Sequence, residues 1–364
     1  MKKIILIGTI ILVLVIIVIS VIFIRPYLLK EDGLETKSGY EDLENIKEQY
    51  NFATPFYEGL ALVGNATEAG FKGNYIDKNG TVIIELNYDM GDIFQEGFAV
   101  VGLNNKGGVI DKSGNEIVKP KYDYIGRFSE GFAVVGLNNR YGYIDKNGTE
   151  MIELKYDVAE EFSEGLAVVQ IDNKYMFINK EGQEAELDFA AETFSEGMAI
   201  IFKKENDGSK YGIIDRSGNI IIDFKYDYIA PFSEGFALVV MNNKYGYIDK
   251  TGTEVIPLKY DFSAAAGFRF FAEGLASFQE YDKCGFIDMT GNEVIKPEYD
   301  TTSYFREGLC TVSLNGKYGF IDKNGTEMIE LKYNLANDFS EGLALVSLNG
   351  EFFYIDKSGN RKVL

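Results

Sequence analysis

The feature that most constrains the fold is the four-residue phrase Phe-x-Glu-Gly, which the chain repeats nine times. Its phenylalanines are Phe56, Phe94, Phe128, Phe162, Phe194, Phe232, Phe271, Phe305 and Phe339. Each phrase is followed by Ile-Asp-x-x-Gly, in which Asn179 is the one replacement for the Asp. Four of the eight spacings between the Glu-Gly glycines are 34 residues, and the others are 32, 38, 38 and 39. Such a period is typical of a solenoid, a propeller or another stacked array.

Each unit has the pattern of short antiparallel strands. In the third unit we predict strands over 131–135, 141–145 and 150–154, with turns at the Asn-Asn pair and at Gly148. Glycine after Asn supplies the positive φ that a tight hairpin corner requires. Side chains alternate along a strand, so Gly142 and Ile144 share one face, and we expect that face to be the core, with an aromatic ring over the glycine.

The sequence therefore predicts an all-β array of nine short antiparallel units over residues 50–364. An open superhelix is favoured over a closed propeller, because units of about 34 residues are small for four-stranded blades and nine are many for one ring. The ring stays an alternative, since the chain enters and leaves the array in mid-unit. We expect the nine phenylalanines of the repeated phrase to form the core between units.

Composition restricts the possible partners. The chain carries 56 acidic and 36 basic residues, a formal charge of −20, which opposes binding to nucleic acid and to anionic membrane surfaces. It has no His, the side chain best suited to metal binding and to proton transfer near neutral pH. No catalytic, metal or cofactor-binding residue is predicted.

The N-terminus differs from the array. Lys2 and Lys3 precede an uninterrupted apolar run over 4–24, long enough to span a bilayer as a helix. Its length exceeds the apolar core of a cleavable signal peptide, so residues 1–24 are predicted to be a single-pass signal anchor. The two lysines favour a cytoplasmic N-terminus, which would place the repeats outside. Residues 25–49 are predicted to be a polar stalk.

The repeat over residues 50–364 resembles a known family of bacterial proteins. The strings Phe-Ser-Glu-Gly-Leu-Ala-Val-Val (162–169) and Lys-Tyr-Gly-Phe-Ile-Asp-Lys-Asn-Gly-Thr-Glu (317–327), followed by Ile and Lys-Tyr, are similar to the WG repeat, also called the KWG repeat. The Trp that names the family is absent. Its slot holds Gly73, Gly107, Tyr141, Tyr175, Tyr211, Tyr245, Cys284, Tyr318 and Phe352. The resemblance implies a β-rich repeat without established catalytic residues.

Two acidic motifs have a functional and a structural interpretation. The segment from Asp145 to Glu150 resembles part of a calcium loop, but it lacks a distant bidentate Glu and flanking helices. An Asx turn closing a hairpin is the favoured interpretation. The Glu of Phe-x-Glu-Gly suggests a carboxylate pair for glycoside hydrolysis. Catalytic pairs are set apart by their environments, whereas these stand in nine equivalent settings, so we interpret them as turn or edge residues.

The recurring tyrosines leave a second binding hypothesis open. A file of exposed rings could stack on the sugars of a cell-wall glycan. Tyr on a strand is more often packed against a neighbouring strand, and packing is the favoured interpretation.

Departures from the repeat are the predicted partner-binding positions, because insertions in a repeat often form a binding face. Two lengthen the same hairpin by four residues, over 65–73 and 203–210, and a third adds five residues before Phe271. The candidate side chains are Asn65, Lys203, Lys204, Phe268, Arg269 and Phe270. The leading hypothesis is a membrane-anchored module that binds or scaffolds proteins at a bacterial surface. A wall-glycan module is the alternative, and an enzyme of glycan metabolism a remote third.

Overall fold

The structure is a computed structural model that describes residues 50–67, 70–205, 208–262 and 269–362. Regular secondary structure in these ranges is entirely β, in nine separate antiparallel sheets. No helix within them is long and apolar enough to cross a bilayer. The predicted anchor over 1–24 and the stalk over 25–49 lie outside the described residues.

Each sheet is built from one repeat unit, and we number the sheets as blades one to nine. Blades one to three contain β1 (Phe52–Ala53), β2 (Ala61–Thr67), β3 (Gly70–Ile76), β4 (Val82–Leu86), β5 (Met90–Gly91), β6 (Phe98–Leu103), β7 (Lys106–Asp111), β8 (Glu116–Tyr122), β9 (Tyr124–Ile125), β10 (Phe132–Leu137), β11 (Arg140–Asp145) and β12 (Glu150–Tyr156). Blades four to six contain β13 (Val158–Ala159), β14 (Leu166–Ile171), β15 (Lys174–Asn179), β16 (Glu184–Leu187), β17 (Ala190–Ala191), β18 (Met198–Glu205), β19 (Gly208–Asp215), β20 (Ile220–Tyr226), β21 (Tyr228–Ile229), β22 (Phe236–Met241), β23 (Lys244–Asp249) and β24 (Glu254–Asp261). Blades seven to nine contain β25 (Leu275–Glu280), β26 (Lys283–Asp288), β27 (Glu293–Tyr299), β28 (Thr301–Thr302), β29 (Cys310–Leu314), β30 (Lys317–Ile321), β31 (Glu327–Tyr333), β32 (Leu335–Ala336), β33 (Leu343–Leu348), β34 (Glu351–Asp356) and β35 (Arg361–Lys362).

A typical blade has four strands in sequence order. In blade three, the three predicted strands are confirmed as β10, β11 and β12, and β9 adds a fourth strand that the sequence pattern did not predict. Because β9 is only two residues long, four strands fit into 34 residues. The expectation that the units are too small for four-stranded blades is therefore wrong.

The array closes into a ring, because blade nine packs against blade one. Phe56 of blade one lies in one apolar cluster with Leu343 and Tyr354 of blade nine, and its ring centroid is 4.9 Å from that of Tyr354. Tyr354 Oη donates to the Thr54 carbonyl at 2.5 Å, and Ser340 Oγ donates to the Phe56 carbonyl at 2.7 Å. The preference for an open superhelix is therefore wrong, and the propeller-like alternative is confirmed. Closure buries two apolar faces that an open array would leave in water.

The core lies between blades. All nine phenylalanines of the repeated phrase are at most 4% exposed, which confirms the core prediction. Phe162, for example, packs on Tyr143 of the preceding blade with the ring centroids 4.8 Å apart. Each blade is covered on both faces. Tyr143 is fully buried in the apolar cluster that blade three shares with blade four, and Ile144 is fully buried in the cluster that it shares with blade two. The prediction of one buried face per strand is wrong for this reason.

Position 142 needs a glycine because the backbone of the neighbouring strand lies close to it. The prediction that an aromatic ring lies over Gly142 is wrong. A Cβ atom there would lie 2.4 Å from the Ile152 carbonyl oxygen. The pairing changes register at this point, from Tyr141↔Tyr156 to Tyr143↔Ile152, so the outer strand bulges towards the glycine. In blade four the equivalent position is Met176, and the β15–β16 pairing has no register shift. The spacing to the next unit there is only 32 residues. The glycine therefore admits a bulge that lengthens the unit.

We expect Gly142→Ala to reduce the free energy of unfolding by about 1–3 kcal/mol, because the new methyl group overlaps a backbone carbonyl. Denaturant unfolding of the full chain measures the effect. The control is Asn74→Ala, which places the same side chain in the same slot of blade one, where the register from Gly73↔Leu86 to Tyr75↔Ile84 has no bulge. Equal losses in the two variants would contradict the role assigned to the glycine.

Candidate functional site

The ring presents two different faces. Since the strands of each blade are antiparallel, the turns between its first and second and between its third and fourth strands lie at one end. We call this end the clasp face; it carries the Phe-x-Glu-Gly and Asp-x-x-Gly turns. The opposite end carries the turns between the second and third strands and the links between blades, and we call it the hairpin face.

On the clasp face, each Glu of the repeated phrase holds the next blade. Its carboxylate accepts a hydrogen bond from the backbone N–H of the following unit's Glu-Gly glycine, at 2.8–3.2 Å. The circuit includes the closing contact from Glu341 to Gly59. All nine glutamates have a left-handed φ between 52° and 55°, which strains a side chain other than Gly, Asn or Asp. The turn interpretation is confirmed, and the carboxylate is needed for the neighbouring blade.

A cation completes the contact at eight of the nine interfaces in the described residues. It comes from the second residue of the Asp-x-x-Gly turn, as in the pair between Lys180, which follows Asn179 in blade four, and Glu130 at 3.1 Å. Partial burial acts to raise the pKa of Glu130, but hydrogen bonds from Lys180 and from the Gly165 N–H outweigh it and lower the pKa. The remaining interface, between blades six and seven, has Met289 in the cation's position. The side chains of these cations, seven lysines and Arg216, are 34–54% exposed, so the carboxylate to N–H bond contributes more than the ion pair.

The Asp-x-x-Gly turns are Asx turns, as predicted. Asp145 Oδ1 accepts hydrogen bonds from the backbone N–H groups of Asn147 and Thr149 at 2.9 and 2.8 Å. These bonds lower the pKa of Asp145, although burial opposes them. The carboxylate therefore closes the hairpin of its own blade.

Three of the predicted partner-binding residues lie on lengthened hairpins of the hairpin face. Asn65 is on the β2–β3 hairpin and accepts a hydrogen bond from the Asn51 N–H at 3.0 Å. Lys203 and Lys204 are exposed on the β18–β19 hairpin, and Lys203 Nζ lies 4.2 Å from the centre of the Phe224 ring. Both lengthened hairpins thus lie on the same side of the ring. Of the third insertion, before Phe271, the structure describes Arg269 and Phe270.

The remaining predicted partner-binding residues differ in their exposure. Phe268 lies outside the described residues. Phe270 is 37% exposed and packs on Tyr304 of blade eight, with ring centroids 5.1 Å apart. Arg269 is only 5% exposed and donates from Nη2 to Gln279 Oε1 at 3.1 Å. The expectation of a surface anchor at Arg269 does not fit this position, because its guanidinium is enclosed between blades six and seven.

A cluster of side chains near the ring axis was missed at the sequence level. The Arg306 guanidinium of blade eight lies 5.7 Å from the ring centre of Tyr57 in blade one. These blades are separated by blade nine, so the contact places the segments around Phe-x-Glu-Gly nearest the axis. Arg127 forms a bidentate pair with Asp92 of blade two, at 2.7 and 2.6 Å. These residues occupy variable positions of the repeat, where one sequence gives no signal.

Carboxylates of blades four and five add negative charge to the same region. The surrounding protein and the adjacent charge of Glu161 raise the pKa of Glu160, although the side chain is exposed. Burial, aided by the charge of Glu160, raises the pKa of Glu192 to about 7. The axial surface therefore carries aromatic rings and charges of both signs, a combination suited to recognition of a polar partner.

The repeat unit agrees with a described family. A family model for WG-containing repeats matches residues 75–106, 108–141, 141–175, 211–245, 245–284, 285–318 and 318–352, together more than half of the chain. The chain belongs to the WG-repeat family. No curated protein sequence matches this WG-repeat protein.

Solved structures with a similar shape share little sequence with this WG-repeat protein. A eukaryotic initiation factor is 13% identical, with a TM-score of 0.59 over 87% of this chain and 96% of that one. The dihydro-heme d1 dehydrogenase NirN, in complex with DHE, is 12% identical, with a TM-score of 0.43 over 85% of this chain and 74% of that one. At such identity the first similarity describes the fold alone.

Two of the tyrosines that replace the family Trp, Tyr141 and Tyr245, pack on other tyrosines of their own blades. Tyr141 contacts Tyr124 edge to face at 5.9 Å, and Tyr245 stacks on Tyr260 at 5.2 Å between ring centroids. Tyr245 is 2% exposed, and Tyr141 is half-buried. Their rings contact other rings of the protein, in agreement with the packing interpretation.

Proposed function

We propose that this WG-repeat protein is a binding and scaffolding module whose hairpin face engages a protein partner. The contrast between the two faces supports the proposal. The clasp face repeats one structural contact around the ring, so it is committed to holding the blades together. The hairpin face carries two of the three departures from the repeat, the lengthened β2–β3 and β18–β19 hairpins, and such departures are tolerated by the frame because loop lengthening costs little.

A protein partner is favoured over a wall glycan by the surroundings of the tyrosines. Stacking on sugars needs exposed ring faces, whereas Tyr141 and Tyr245 are packed against Tyr124 and Tyr260. The hairpin face offers instead the exposed ammonium groups of Lys203 and Lys204. We infer that these lysines contact acidic side chains of the partner, an arrangement that favours rapid and specific association.

The proposed location is the outer side of a bacterial membrane. Residues 1–24 support it by their apolar length and Lys2 and Lys3 by their charge. In this arrangement the stalk over 25–49 would hold the ring away from the bilayer, where large partners reach it.

The test is capture of the partner by the full chain from the surface fraction of cells that make it, followed by affinity measurement. Lys204→Glu on the hairpin face is expected to weaken binding about tenfold, because it opposes an acidic partner. Ser217→Glu is the matched control, since Ser217 is an exposed residue of a clasp-face turn, and it should leave affinity within about twofold.

Two results would contradict the proposal. One is equal loss of affinity in the Lys204 and Ser217 variants. The other is binding that survives protease treatment of the surface fraction but disappears when purified wall glycan competes.

A further inference from the structure

The interface between blades six and seven departs from the other eight, and we call it the seam. Glu234 of blade six accepts hydrogen bonds from the backbone N–H groups of Glu273 and Gly274 at 2.7 and 2.8 Å. The cation found at every other interface is replaced by Met289. Among the described residues, the seam is therefore the interface whose clasp has no ion pair.

A positive charge is buried inside the seam without a negative partner among the described residues. Arg269 is 5% exposed, and its hydrogen bond to Gln279 goes to a neutral amide. No Asp or Glu oxygen of the described chain lies within 4.0 Å of the guanidinium, and the preceding residues 263–268 include neither Asp nor Glu. A buried charge without compensation is strongly unfavourable. The charge of Arg269 is therefore not compensated by any described carboxylate.

Two hydrogen-bond donors remain unused at this place. Arg269 Nη1 and Tyr245 Oη are both buried, and neither has a hydrogen-bond partner in the described part of the chain. Tyr247 Oη donates to the Arg269 carbonyl at 2.7 Å, which fixes the arginine backbone beside the two tyrosines. Burial raises the pKa of Tyr245 to about 12, and the nearby Arg269 charge opposes the rise. The phenol therefore stays protonated and able to donate at neutral pH.

We propose that the seam binds a small oxyanion, a carboxylate or phosphate group, between Arg269 Nη1 and Tyr245 Oη. Guanidinium and phenol groups together supply charge-assisted hydrogen bonds of the kind that oxyanions accept. Gln279 holds the other arm of the guanidinium and so orients Nη1. Because the clasp at the seam lacks the cation, parting this interface for entry of the ligand breaks one ion pair fewer than at the other interfaces. The site does not rest on the proposed partner-binding function.

The test uses the full chain, titrated calorimetrically with sodium phosphate and, separately, with sodium acetate, while sodium chloride keeps the ionic strength constant. We expect saturable binding of one anion per chain, and the stronger of the two ligands identifies the source of the oxyanion. Arg269→Met keeps the apolar stem and removes the charge, and it should weaken binding at least about tenfold. Tyr245→Phe should weaken it about threefold to tenfold.

A second readout keeps the test informative if calorimetry alone is affected by folding. Without added oxyanion, Arg269→Met should unfold at a temperature equal to or above that of the wild type, because an unpaired charge has been removed. At the same oxyanion concentration, the unfolding temperature of the wild type should rise more than that of either variant. If Arg269→Met does not fold, Tyr245→Phe carries the comparison. The proposal fails if neither anion binds saturably, or if the substituted chains bind as the wild type does.

Discussion

A chain that ends at Asn334, and so lacks blade nine, is expected to lose the stability of the ring. Removal of blade nine exposes Phe56 and Val63 of blade one and Phe320 and Tyr333 of blade eight. In the full chain these four side chains are buried against blade nine. Each such side chain contributes about 1.5–3 kcal/mol when buried, so the loss is comparable to the whole free energy of unfolding of an ordinary domain, about 5–15 kcal/mol. Denaturant unfolding and sedimentation should show an unfolded or associated chain.

The control for this deletion is a chain that ends at Asn360. It removes β35 and the two residues after it, and the two residues of β35 are exposed, so the free energy of unfolding should change by less than about 1 kcal/mol. A monomeric eight-blade chain with the stability of the full chain would show that closure through blade nine is not needed.

Phe162→Ala and Phe339→Ala are expected to destabilise the ring by similar amounts, about 3–5 kcal/mol each. Phe162 is 1% exposed and packs on Tyr143, and Phe339 is also 1% exposed and packs on Phe320, both with 4.8 Å between ring centroids. In an open array the last unit would have one neighbour and a smaller loss. In a ring the last unit has two neighbours, so the loss for Phe339→Ala should not be reduced by its position near the C-terminus.

Denaturant unfolding of both variants measures this equivalence. Phe270→Ala is the control, because Phe270 is 37% exposed and is outside the repeated phrase, and it should cost less than about 1.5 kcal/mol. A loss for Phe339→Ala that is smaller than that for Phe162→Ala by more than about 2 kcal/mol would favour an open chain end.

The clasp shows how a turn residue gains a second role from the ring. A left-handed Glu is unfavourable within one isolated blade, since Gly, Asn or Asp would fit the same φ with less strain. Its carboxylate stabilises the adjacent blade by accepting a backbone N–H, for example from Gly165 to Glu130 at 2.8 Å. The recurrence of Glu in all nine units therefore follows from contacts between units, which the pattern within one unit does not contain.

The sequence by itself determined the number of units, three strands in each, the turn residues and the buried phenylalanines. These are local properties: alternation along a strand, glycine at a positive φ and an apolar residue at a fixed phase are present in each unit separately. The two-residue strand Tyr124–Ile125 was not predicted, because it is too short to show alternation.

Only the tertiary structure decided between a ring and an open superhelix. Closure depends on the small rotation from one blade to the next, summed over nine interfaces, and no single unit encodes that sum. The burial of Arg269 was also decided only by the tertiary structure. Its charge suggested an exposed residue, but packing of blade six on blade seven buries it beside Tyr245 and Tyr247. Burial is a property of the assembled interface, so the same residue type is exposed as Arg216 and enclosed as Arg269.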